Sequence, residues 1–204
     1  MALATFSDLQ TAIANWTHRS DLTSITSDLI TLAEARINGD LDARFQDSTA
    51  TLSTVAGTET VALPTDVINI RSVFVDTAQQ VTLKYVTPDQ FRTLYPYDTS
   101  GVPNVYTVIG SSLYLAPVPD GVYSLPITYK ARVPAISVGS PTNWLLTTYP
   151  NVYLYAALLE CAPYIKDDAR LQTWKAAYDL AIESVNSQDW YSGSTMTIRT
   201  DIRP

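Results

Sequence analysis

One histidine, His18, and one cysteine, Cys161, are the chain's whole supply of imidazole and thiol. A serine or cysteine nucleophile needs a base at hydrogen-bond distance, most often an imidazole. His18 would have to serve, yet it stands in a polar turn beside Arg19, and no nucleophile-elbow glycines precede it. A solvated loop histidine is the ordinary reading. Cys161 lies in the most apolar stretch, where a small buried hydrophobe is expected rather than a reactive thiol. A lone cysteine also excludes an internal disulfide framework and a thiolate metal cluster. Asp167 and Asp168 imitate an acid pair, but adjacent residues on a helix point apart, so a cap and first-turn acid are expected. Glycosidase carboxylates can come from distant positions, and that class stays open. Seven scattered glycines supply no phosphate-cradling loop. The expectation is a chain with no catalytic site, no cofactor and no metal.

Thirteen tyrosines and four tryptophans are the compositional oddity. Tyr85, Tyr95, Tyr97, Tyr106, Tyr114, Tyr123 and Tyr129 cluster in one region. Rings with a polar tip suit protein interfaces and carbohydrate platforms, while strand preference explains the same cluster. All three readings stand at this level. Thirteen bases against 20 acids give a net charge of −7 and a pI near 4.5, and the bases form no run. Gripping nucleic acid by phosphate neutralisation is therefore not expected. An acidic chain can still surround DNA without binding it. At 204 residues, 46% hydrophobic and 16% charged, the chain has material for one domain or two small ones, and disorder is excluded. The apolar run Val152–Leu159 is too short to cross a bilayer, so no membrane partner is expected. The opening residues lack the basic and apolar regions of a secretory signal.

Three zones must position whatever surfaces the chain uses. From about 5 to 46 the pattern is helical. Ser7 reads as an N-cap before Leu9, Ala12, Ile13 and Trp16, and Thr17–Thr23 is turn-like. Ile25, Leu29, Leu32, Ala33, Ile37 and Leu41 then recur at helical spacing, with Phe45 packing the end. From 49 to 138 short alternating runs and turn residues take over. Thr51–Val55 and Thr60–Leu63 predict a hairpin, as do Val105–Ile109 and Leu113–Leu115 around Gly110. Strands are also expected at Val67–Val75, Gln80–Val86 and Ile127–Val133, with a short helix capped by Thr87 and Pro88. Helices return after Asn143. One from about Pro150 to Tyr164 is apolar on nearly all sides, with Pro163 kinking or ending it; the last carries Leu171, Trp174, Tyr178, Ala181 and Val185. The expected class is α+β: a discontinuous helical bundle from residues 1–48 and 139–191, an inserted antiparallel β lobe at 49–138, and an extended arm at 192–204.

The order of these features resembles a family. Val61-Ala62-Leu63-Pro64-Thr65-Asp66-Val67 opens a strand, followed by Gly101-Val102-Pro103-Asn104-Val105-Tyr106 and Leu113-Tyr114-Leu115-Ala116-Pro117-Val118-Pro119. Then come Tyr129-Lys130-Ala131 with Pro134, Thr142-Asn143-Trp144-Leu145-Leu146, and the run from Tyr149-Pro150-Asn151 to Pro163-Tyr164. Together they are similar to the head-to-tail adaptor (connector) proteins of tailed bacteriophages, over most of residues 20–190. The resemblance implies a structural virion protein of the neck, assembled in the host cytoplasm. It implies a homo-oligomeric ring, usually of twelve subunits, beneath the portal protein, which extends the DNA channel and offers a platform to a tail or nozzle protein. DNA would pass through without specific binding. A glycan- or receptor-binding virion protein using the tyrosine-rich lobe is the alternative.

Two groups of residues carry the site expectations. Tyr155, Leu158, Leu159, Leu171, Trp174 and Tyr178 should form the core between the last two helices. In the tail, Met196, Ile198 and Ile202 alternate with Thr197, Arg199, Asp201 and Arg203, which is strand periodicity. Met196, Ile198, Arg199, Ile202 and Arg203 are thus expected to bind the portal or a neighbouring subunit as an extended arm.

Overall fold

The computed structural model describes residues 3–19, 21–77, 80–95, 99–165 and 168–190. These fall into two compact units that divide at Arg44/Phe45 and at Arg132/Val133.

The first unit is helical: α1 (Phe6–Thr17), α2 (Thr26–Asp40), α4 (Trp144–Thr148), α5 (Pro150–Ile165) and α6 (Asp168–Trp190). Helix α1 starts one residue before Ser7, and its cap is Thr5. The Thr5 hydroxyl accepts the Asp8 N–H at 3.2 Å while Asp8 Oδ2 accepts the Thr5 N–H at 3.0 Å. That reciprocal pair satisfies two orphan donors at once, which Ser7 inside the first turn cannot do. His18 ends α1 in the left-handed region, φ 53°, with its side chain exposed. On α2 the buried face is Thr26, Leu29, Ile30, Ala33 and Ile37. Leu32 lies on the opposite side and is 53% exposed, because the stripe is centred on the Thr26–Ile30–Ala33–Ile37 row. Helix α5 is the axis of this unit. Val152, Tyr153, Leu154, Ala156, Ala157, Leu158, Leu159, Cys161 and Ala162 are all buried, and α1, α2, α4 and α6 pack around it. Pro163 sits in its last turn. Asp167, expected to cap α6, lies outside the described residues.

The second unit holds β1 (Asp47–Ser53), β2 (Thr60–Ala62), β3 (Val67–Asp76), β4 (Gln80–Thr82), β5 (Lys84–Tyr85), α3 (Pro88–Leu94), β6 (Ser100–Gly101), β7 (Val105–Ile109), β8 (Ser112–Ala116), β9 (Val118–Pro119) and β10 (Ser124–Ala131). The strand orders are β1-β10-β3-β4, β2-β8-β7-β5 and β6-β9. The expected β7–β8 hairpin forms, with Gly110 at φ 61° supplying the left-handed turn residue. The hairpin expected from Thr51–Val55 and Thr60–Leu63 does not. Strand β1 pairs antiparallel with β10 along seven residues, and β2 joins β8 in the other sheet. Thr54 fixes that choice: its hydroxyl accepts the Tyr123 N–H at 2.7 Å and donates to the Gly121 carbonyl at 2.9 Å. The long-range bracket outweighs the local turn. The unit is mixed rather than purely antiparallel, since β5–β7 and β6–β9 run parallel. Thr87 and Pro88 open α3 as expected. Phe45, expected to pack the end of α2, is 58% exposed.

Candidate assembly surfaces

Of the six residues expected between α5 and α6, four meet in one buried cluster: Leu158, Leu159, Trp174 and Tyr178. Tyr155 packs against that cluster partly buried, its ring edge-on to Trp16 of α1 at 6.0 Å. Leu171 is the exception. It is 36% exposed, a turn short of Trp174, and lines a groove instead of the core.

That groove, about 890 Å³, runs along α2, α5 and α6. Leu159, Leu171, Tyr178 and Ile182 form its apolar part. The Tyr178 hydroxyl donates to Asp40 at 2.9 Å, and burial followed by this bond pushes the phenol well above its ordinary range. Arg36 pairs with Glu160 at 2.6 Å, and Lys175 with Asp179 one turn on at 2.7 Å. Both bases of the rim are thus taken by acids, which leaves Asp40 and Glu183 as its net charge. The surface is apolar with an acidic margin.

A buried polar network was missed from the sequence. Glu34, 8% exposed, accepts the Ile136 N–H at 2.7 Å and the Tyr153 hydroxyl at 3.4 Å. Asn143 donates to Tyr153 Oη and to the Pro134 carbonyl, each at 2.6 Å, and its Oδ1 caps α4 through the Leu146 N–H at 2.8 Å. Asn38 Oδ1 accepts the Val133 N–H at 2.8 Å. Together these side chains hold the irregular segment 133–143 against α2 and α5. The available signal was Glu34 itself, a carboxylate on the apolar row of an amphipathic helix.

Burial raises the Glu34 carboxyl above its ordinary 4.5, against the pull of its two donors. An acid raised in the folded state binds its proton more tightly there than in the unfolded chain. Its stabilising effect is full below the unfolded value and is lost as pH rises through the folded one. Glu34→Gln keeps an acceptor at Oε1 without the charge. The wild type should therefore lose melting temperature relative to Glu34→Gln from about pH 4.5 upward. A difference between the two that stays constant over that range would contradict the assignment.

Cys161 is fully buried, and desolvation pushes its thiol up to about 12. The thiolate is the reactive form. At pH 8 the native protein should leave a disulfide reagent unreacted over hours and release one equivalent on denaturation. Rapid native labelling would show that the site opens.

The tyrosines of the second unit do not form an exposed row. Tyr106 and Tyr129 are buried, and Tyr129 Oη donates to Asp66 at 3.3 Å. Tyr95 Oη donates to Asn104 at 2.9 Å and Tyr123 Oη to Asp120 at 2.5 Å. Among the described tyrosines of the unit, Tyr85 alone is largely exposed, its ring edge-on to Tyr106 at 5.6 Å. Tyr97 lies outside the described residues. Among the described residues, most of the cluster serves strand packing and local hydrogen bonds.

Beside Tyr85 lies an apolar cleft of this unit. Val67, Ile68, Ile70, Tyr85, Tyr106 and Val108 line a cleft of about 400 Å³. The expected arm residues Met196, Ile198, Arg199, Ile202 and Arg203 lie outside the described residues. Among those described, no group of His, Cys, Asp and Glu could hold a metal ion, and no helix is long and apolar enough to cross a membrane.

A family model described as SU10 adaptor protein matches residues 4–199. No curated protein matches the chain.

Proposed function

The chain belongs to the SU10 adaptor protein family, phage structural proteins of the virion, and on that premise we propose that it builds a ring between portal and tail. The match across residues 4–199 carries this reading, because it spans both units rather than one of them. A closed ring needs a heterologous contact, so each subunit must present two unlike faces. The acidic-margined groove of the helical unit and the apolar cleft of the β unit are two such faces. The ring extends the DNA channel at the neck and gives the tail or nozzle its platform. Residues 192–204 act as the arm that secures the joint.

Static light scattering of the chain mixed with its portal tests the reading. Association should raise the mass of the portal particle by several copies of 22.4 kDa. A 22.4 kDa monomer that never joins the portal would overturn it. A second outcome concerns DNA. With a net charge of −7, subunits around a channel repel the duplex and let it slide. Assembled rings should show no retention of duplex DNA even at low salt. Tight binding that weakens steeply with salt would mean that the channel grips its cargo.

A further inference from the structure

Strand β3 is ten residues long, yet β4 pairs only with Phe74–Asp76 on its outer side. From Val67 to Ser72 no described strand covers that side. An open edge of this kind is a template for another strand. It carries no proline or lysine to blunt it, and its one charge, Arg71, is held by Asp47 at 2.5 Å. Ile68 stands 40% exposed on it. The cleft beside it offers an apolar floor in Tyr85, Tyr106 and Val108. Two register shifts against β10 fall along β3, and bulges of this sort recur beside binding sites.

We propose that this edge receives residues 195–203 of a second copy of the chain as an added strand, a reading that rests on the ring proposed above. Three observations choose that occupant. The segment alternates, with Met196, Ile198 and Ile202 on one side, which suits a sheet edge over an apolar floor. The unit that carries α6 and leads into the segment contains no strand among its described residues. Residues 195–203 carry two arginines and one aspartate and are basic, whereas the chain as a whole stands at −7. Donor and acceptor are different surfaces, so the contact passes from each copy to the next, which is the heterologous arrangement a closed ring requires.

Mixing two full-length variants tests the placement, one carrying only Ile68→Cys and the other only Ile198→Cys. Buried Cys161 does not compete for oxidation. The expected product of oxidation in the assembled state is a disulfide-linked pair made of one copy of each. A synthetic peptide of residues 194–204 is also titrated onto the chain lacking 192–204. It should bind, and Ile68→Lys, a change at an exposed position, should weaken it about tenfold or more without altering the melting temperature. A third variant carrying both changes serves as the control: a disulfide that forms within that single chain, with none between the mixed single variants, overturns the second copy as donor. Peptide binding that ignores Ile68→Lys, or no binding at all, overturns the edge while rings continue to form. Chains that form no rings and bind no peptide overturn both this inference and the ring.

Discussion

Truncating Trp174 to Ala should lower stability by about 3–5 kcal/mol. Trp174 is 5% exposed and belongs to the cluster that joins α6 to α5. Removing the indole leaves a cavity lined by residues already held by the rest of the bundle, so collapse into it is limited. For a chain of this size the loss corresponds to a fall in melting temperature of roughly 6–20 °C. Trp174→Phe should lose less, since it keeps a ring at the same position. Thermal denaturation followed by circular dichroism reads both variants. Wild-type melting in Trp174→Ala would mean that the α6 stripe faces something other than this core.

Deleting residues 192–204 should do the opposite: leave the fold and remove the assembly. Among the described residues, the buried clusters of both units run from Phe6 to Val185, and each holds a packed set of side chains from its own helices or strands. The melting temperature should stay within about 1 °C of wild type, as expected when no core contact is lost. Stable attachment to the portal should vanish, because copies that lack the arm no longer hold one another in the ring. Co-sedimentation of the truncated chain with portal rings checks this, and unimpaired attachment would show that the arm does not hold the assembly together.

Much of the helical unit could be read from spacing alone, because its cores repeat at three and four residues. The α5 run announced a central helix, and Trp174 and Tyr178 announced the face of α6. Leu171 and Leu32 escaped that reading for one reason: periodicity marks a stripe but not which of its margins is covered. The β unit was less legible. The Thr51–Leu63 hairpin looked sound locally, but β1 found a seven-residue partner in β10, more than seventy positions away in sequence. No local pattern encodes that pairing. The Glu34–Tyr153–Asn143 network was hidden for a similar reason, since its members lie on α2, α5 and the start of α4. For the tyrosine cluster, composition left packing and binding both open. Only burial separates a ring that packs from a ring that waits for a ligand.

The central claim is that copies of this chain form a ring coaxial with the portal. Electron microscopy of the chain assembled on its purified portal, averaged without imposed symmetry, tests it most directly. The account predicts end-on views with a closed ring of repeated 22.4 kDa subunits around an open channel, stacked on the portal in side views. Portal particles decorated at scattered positions, or bare portals beside free monomers, would contradict it.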